Sequence, residues 1–218
     1  MQNLTLIGTV TLIHLLAVMS PGPDFIMAVK NSLTYSRRTG IWTAVGFGLG
    51  ISVHIFYCIA GLALIISKSI LLFSVIKYFG AAYLIYVGVK CLLSKSGQID
   101  VGENQKKSDI FPVAAVRMGF LTNVWNPKVT LLFLSLFTLV ITPGTPASVL
   151  GIVSVIMIAN TTLWFSLVAT FLTHKKIRGV FERFQSKFNK FFGVLLVAIG
   201  LKVAVAAWAW TNWNRTCI

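Results

Sequence analysis

The 218-residue chain is 56% apolar and only 11% charged, with a mean hydropathy of +0.84, which excludes a soluble globular domain of ordinary composition, since such a domain could not hide that much Leu, Ile, Val and Phe. A net charge of +14 would point to nucleic acid in a soluble protein, but here Lys and Arg gather between apolar runs and form no stripe interleaved with aromatics, so no nucleic-acid partner is expected. The solvent that fits is a lipid bilayer.

The first apolar run, 4–29, has no Lys or Arg before it and no small-residue cleavage site after it, so it is expected to persist as a membrane span. Five more follow, at 41–66, 70–93, 113–141, 149–172 and 188–207. Each is long enough to cross as a helix, the open-chain structure that satisfies its own backbone groups in hydrocarbon. The expected fold is therefore all-α: a polytopic membrane protein with six transmembrane helices in one domain over 1–218, its cytoplasmic linker at 94–110.

The connections carry a consistent charge signal. Lys30, Arg37 and Arg38 follow the first span, Lys90, Lys95, Lys106, Lys107 and Arg117 surround the linker, and Lys175, Lys176, Arg178, Arg183, Lys187 and Lys190 follow the fifth. Only Lys68, Lys77, Lys202 and Arg215 fall on the other side, and 142–148 carries no charge. The positive-inside rule then puts both termini on the outer, periplasmic side, with Trp208, Trp210 and Trp213 as an interfacial anchor. Cys58, Cys91 and Cys217 are odd in number and scattered, which suggests neither disulfides nor a metal knuckle.

An internal repeat divides the chain. Lys77-Tyr78-Phe79-Gly80 followed by Gly88-Val89-Lys90 in the third span matches Lys190-Phe191-Phe192-Gly193 followed by Gly200-Leu201-Lys202 in the sixth. The first and fourth spans are each interrupted by a proline cluster, Ser20-Pro21-Gly22-Pro23-Asp24 in one and Asn123-Val124-Trp125-Asn126-Pro127-Lys128 in the other. Three spans per half is an odd number, so the halves, about 1–93 and 111–210, are expected to be inverted repeats of the transporter kind.

Proline inside a helix deletes a backbone donor and clashes with the preceding turn, so both clusters should break their helices. Broken helices at corresponding places in two repeats point to a central binding site, although a structural kink would leave the same trace. Asp24 is the sole carboxylate in an apolar run, the others being Asp100, Glu103, Asp109 and Glu182. A mid-bilayer charge costs about 2.5 to 3.5 kcal/mol, so it is seldom kept without a partner or a task. Aligned on their prolines, the clusters set Asp24 opposite Lys128. Asp24 is then a candidate for a substrate ammonium or a coupling proton, and Lys128 with amides near Asn126 for a carboxylate; an ion pair pinning the halves together is the plainer alternative. Pro21, Gly22, Pro23, Asn123, Asn126 and Pro127 complete the candidate site, with His14, His54 and Asn160 as second-tier polar groups on apolar segments. Gly46, Gly48, Gly50, Gly80 and Gly88 read as helix-packing positions. No P-loop, HExxH, GxSxG or Cys/His cluster is present, so no enzyme activity, cofactor or metal is expected, and a proton or ion gradient is the natural energy source.

The residues resemble the LysE/RhtB-type amino-acid exporters, and within them the threonine-efflux branch. The likeness rests on the run from His14 to Phe25, on Gly80-Ala81-Ala82-Tyr83-Leu84 with Gly88, and on Gly119-Phe120-Leu121-Thr122-Asn123 leading to Asn126-Pro127-Lys128. It covers nearly the whole chain, while the tail 208–218 extends beyond it. The resemblance implies a six-span carrier of the bacterial inner membrane that exports small hydrophilic amino acids such as threonine or homoserine as a proton-coupled antiporter, with room for assembly into a homo-oligomer. The alternative is a cation transporter or channel of related fold, disfavoured because a divalent cation wants several oxygen ligands and the spans hold one carboxylate.

Overall fold

The computed structural model describes residues 2–20, 22–68, 70–93, 107–140 and 145–216. Among them the chain is all helix: α1 (Gln2–Met19), α2 (Pro23–Thr34), α3 (Arg37–Lys68), α4 (Ile70–Leu93), α5 (Pro112–Val124), α6 (Pro127–Val140), α7 (Ala147–Phe171) and α8 (Lys175–Thr216). Pro21, linker positions 94–106, Thr142 and residues 217–218 lie outside the described residues, as do the side chains of Trp210 and Trp213.

Stretches within α3, α4 and α7 (Arg37–Leu62, Ser74–Leu93 and Ala147–Phe171) are long and apolar enough to cross a membrane singly, and α1 with α2 is so as a pair bent by 56°. The 42 residues of α8 extend about 63 Å at 1.5 Å per residue, roughly twice the hydrocarbon thickness. This differs from the sequence expectation, which has the basic stretch after the fifth span as a connection. No proline interrupts residues 175–216, and Ile177, Phe181, Phe184, Phe188 and Phe191 recur at helical spacing, so nothing stops the helix before the last span. Arg37 and Arg38 likewise form the first turn of α3.

Proline chemistry sets the two breaks. α1 closes with the Ser20 amide donating to the Ala17 carbonyl at 3.3 Å, and α2 starts at Pro23, with Ile26 N–H donating to Gly22 O at 3.0 Å. At the second break the Asn126 amide turns back to Asn123 O at 3.0 Å, after which Val129 and Thr130 donate to Asn126 O. In both cases proline holds the first helical position, where its missing N–H costs nothing.

Small residues let the helices meet. Gly88 lies against Gly193 and Val197, and Gly200 against Ala81 and Ile85, which packs α4 antiparallel on α8. Gly46 sits on the backbone of Val116 and Phe120, Gly119 on Thr43, Gly48 on Thr162 and Gly80 on Ser135. The buried apolar side chains group into a larger cluster around Phe133, Leu136, Phe137 and Met157 and a smaller one around Phe25, Phe47 and Phe165. The polar residues of the breaks lie at the seam between them.

The segment before α5 is tied to the α2–α3 corner. Lys107 N–H donates to Thr34 O at 2.8 Å, and the Ser36 and Thr39 hydroxyls donate to Asp109 Oδ2 and Oδ1, each at 2.8 Å. Those two donors hold the Asp109 carboxyl below the usual carboxylate range.

Candidate functional site

Asp24 is the second residue of α2, where an anion faces the positive end of the helix dipole. It is 6% exposed. Asn123 Nδ2 donates to Asp24 Oδ2 at 2.7 Å and Asn126 Nδ2 to Oδ1 at 3.1 Å, so both carboxylate oxygens are held by amides from the second break. Hydrogen bonds to a charged group contribute about 1.5 to 3 kcal/mol each, comparable to the cost of bringing the carboxylate into the bundle.

Asn126 does two jobs. Its Oδ1 accepts from the Lys128 backbone N–H at 3.1 Å, the geometry of a helix N-cap. With the oxygen committed to the cap, the Nδ2 end is left to face Asp24, so helix start and carboxylate recognition share one side chain. Lys128, second residue of α6, points back across the break: its Nζ donates to Ser20 O at 2.9 Å. A Cβ on Gly22 would stand 3.3 Å from that ammonium, so a glycine at this position lets the lysine lie close to the first break.

The cluster encloses a cavity of about 30 Å³ lined by Ser20, Gly22, Asp24, Asn123, Asn126, Lys128, Thr161 and apolar neighbours. That volume is on the scale of one water molecule or two. Ser20 and Lys128 also form part of the wall of a wider groove of about 420 Å³ between α4, α6 and α8.

Of the residues singled out from sequence, Gly22, Asp24, Asn123, Asn126 and Lys128 thus line one cavity, and Pro23 and Pro127 start the helices that bear them. Pro21 falls outside the described residues. His54 joins at one remove: its Nε2 lies 3.1 Å from Asn123 O and its Nδ1 2.6 Å from the Tyr57 hydroxyl. His14 is fully buried edge-on to Phe133, ring centroids 5.5 Å apart, and neither of its nitrogens has a partner among the described residues. Asn160 stands beside the cavity-lining Thr161 without lining the cavity itself. Sequence reasoning missed Thr161, the backbone carbonyl of Ser20, and Tyr83, whose hydroxyl donates to Lys128 O at 3.3 Å. Thr161 carries no signal apart from lying next to Asn160, and a backbone carbonyl carries none at all. Among the described residues no group of His, Cys, Asp and Glu is placed to hold a metal ion.

The model of the LysE type translocator family matches residues 15–207. Similar proteins include YrhP of Bacillus subtilis, which bears the name uncharacterized membrane protein, 32% identical over 87% of this chain and 93% of its own length. The threonine efflux protein of Salmonella typhi is 28% identical, over 93% of this chain and 99% of its own. That of Escherichia coli K12 is 27% identical with the same coverage. No solved structure matches the chain.

Proposed function

Because the chain belongs to the LysE type translocator family, and so is a transporter and not an enzyme, we propose that it exports a small hydrophilic amino acid of the threonine or homoserine kind across the bacterial inner membrane, in exchange for protons. The observation that carries this reading is the meeting of Asp24 and Lys128, each one residue past the proline that opens its helix, at one cavity in an apolar bundle. A zwitterionic amino acid needs one anionic and one cationic group. Asp24 receives the substrate ammonium or the coupling proton, and Lys128 with amides near Asn126 receives the carboxylate. The threonine efflux relatives support the substrate class.

In this reading α1 with α2, and α5 with α6, each make one broken span, giving six in all, with both termini outside. The halves 1–93 and 111–210 are inverted repeats. The helix contacts support this pairing: α1 touches α6 and α7 as α5 touches α2 and α3, α2 touches α7 as α6 touches α3, and α3–α7 and α4–α8 are their own counterparts. Other contacts, such as α2–α3 and α4–α6, lack a counterpart of similar extent.

The test is accumulation of labelled threonine, homoserine and alanine, and separately of divalent cations, by inverted vesicles carrying the protein. Amino-acid accumulation driven by an imposed pH gradient is the expected result. Cation flux with no amino-acid movement would overturn the reading in favour of a cation carrier.

A further inference from the structure

The cavity at Asp24, at about 30 Å³, is too small for an amino acid, since small-molecule sites run from about 300 to 1,000 Å³. The groove between α4, α6 and α8, at about 420 Å³, is not. The two spaces share Ser20 and Lys128 as a common wall. We propose that this groove is the loading site of the exporter, in which the substrate waits with its carboxylate on Lys128, and that the bond from Lys128 Nζ to Ser20 O is the gate between the groove and Asp24. The inference rests on the exporter reading above and adds to it where the substrate binds first, and by which end.

The charges of the groove select that end. Among the described residues its lining carries the Lys128 and Lys90 ammoniums, the hydroxyls of Tyr83 and Tyr86 and the amide of Asn189, and no carboxylate. A zwitterion can be held there by its carboxylate, whereas its ammonium finds only neutral acceptors among the described residues. Among the described residues the carboxylate that borders this wall is Asp24, on the far side of Lys128. The groove also lies at the correct end for loading: Lys90 is in the last turn of α4, the end that the positive-inside rule assigns to the cytoplasm, where an exporter collects its cargo.

The same geometry explains how the gate answers to cargo. At rest the Lys128 ammonium donates to a neutral carbonyl, Ser20 O, at 2.9 Å. A carboxylate is the stronger acceptor for this ammonium, because it adds the attraction of opposite charges to the hydrogen bond. An arriving substrate therefore competes directly for the bond that closes the passage. Ser20 Oγ lies 3.5 Å from Cys91 Sγ on α4, so the end of α1, the start of α6 and the groove wall meet at this point. Cys91 gives the place a chemical handle.

The experiment uses the full-length protein with Cys58 and Cys217 replaced by Ala, reconstituted in phosphatidylethanolamine/phosphatidylglycerol vesicles. Cys91 is titrated with a methanethiosulfonate reagent. L-Threonine or L-homoserine at ten times its dissociation constant should slow modification about tenfold by occupancy. L-Threoninamide, which lacks the carboxylate, should not slow it, and Lys128→Gln should remove the protection. A Tyr86→Cys, Cys91→Ala variant repeats the measurement from a second lining position on α4. If the vesicles transport threonine but both thiols react at the same rate with and without it, or if threoninamide protects equally, the loading site is overturned while the exporter reading stands. Vesicles that move no amino acid overturn both.

Discussion

Asn126 caps α6 with one end of its side chain and holds Asp24 with the other: Oδ1 accepts from Lys128 N–H at 3.1 Å while Nδ2 donates to Asp24 Oδ1 at 3.1 Å. The two roles are separable. Asn126→Ser keeps a good N-cap but cannot reach the carboxylate, so it loses the Asp24 hydrogen bond and that bond's share of stability while the start of α6 stays capped. Its transport should fall by roughly tenfold or more, the effect of losing about 1.5 to 3 kcal/mol at a charged acceptor. Asn126→Ala, which loses the cap as well, should melt lower still, by about 1 kcal/mol of stability relative to Asn126→Ser in detergent. Equal transport in Asn126→Ser and the parent would detach Asn126 from the site.

Gly50 is a second support. A Cβ there would stand 2.5 Å from Asn123 Oδ1, whereas one at Gly61 of the same helix meets nothing within 4 Å. Gly50→Ala should displace the Asn123 amide from Asp24 and cost about 1 to 3 kcal/mol by overpacking. Gly61→Ala should be neutral or slightly stabilising. Thermal melting in detergent of the two variants, side by side with transport, checks both; a Gly50→Ala protein that melts and transports like the parent contradicts the packing argument.

The tie between Asp109 and the α2–α3 corner has a defined pH dependence. Ser36 and Thr39 lower the Asp109 carboxyl from its ordinary value of 3.8, so the folded state binds this proton less readily than the unfolded chain. The contribution is complete above the ordinary value and is lost as pH falls through the lower, folded one. Hydrogen exchange of the amides around Ser36 to Thr39 should therefore be protected to the same degree from pH 8 to about 5, once corrected for intrinsic rates. In Asp109→Asn these amides should exchange faster throughout that range. Parent protection that fades near pH 6 would assign the tie to another group.

How far the site could be read from sequence depended on the range of the forces. The breaks at Pro23 and Pro127 were legible because a missing N–H and a ring clash act within one turn. The pairing of Asp24 with Lys128 as counterparts followed from aligning those prolines. What was not legible is who touches whom: both Asp24 oxygens are taken by Asn123 and Asn126, and the Lys128 ammonium reaches the Ser20 carbonyl. Those contacts depend on helix rotation and approach, which Gly46, Gly119 and Gly22 set through tertiary packing. Positive charge was read as a mark of connections, yet Lys175 to Lys190 belong to a continuous α8, because charged residues are good helix formers and location relative to a bilayer does not dictate backbone conformation.

The most direct measurement compares the parent with Asp24→Asn in inverted vesicles under an imposed pH gradient, following labelled threonine and homoserine. Both proteins should insert to the same level, since an amide is easier to bury than a carboxylate. The parent should accumulate substrate when the gradient is applied, and Asp24→Asn should show no gradient-driven accumulation. Undiminished, gradient-driven transport by Asp24→Asn would contradict the account, because the one carboxylate held between the two broken helices would then have no part in moving the substrate.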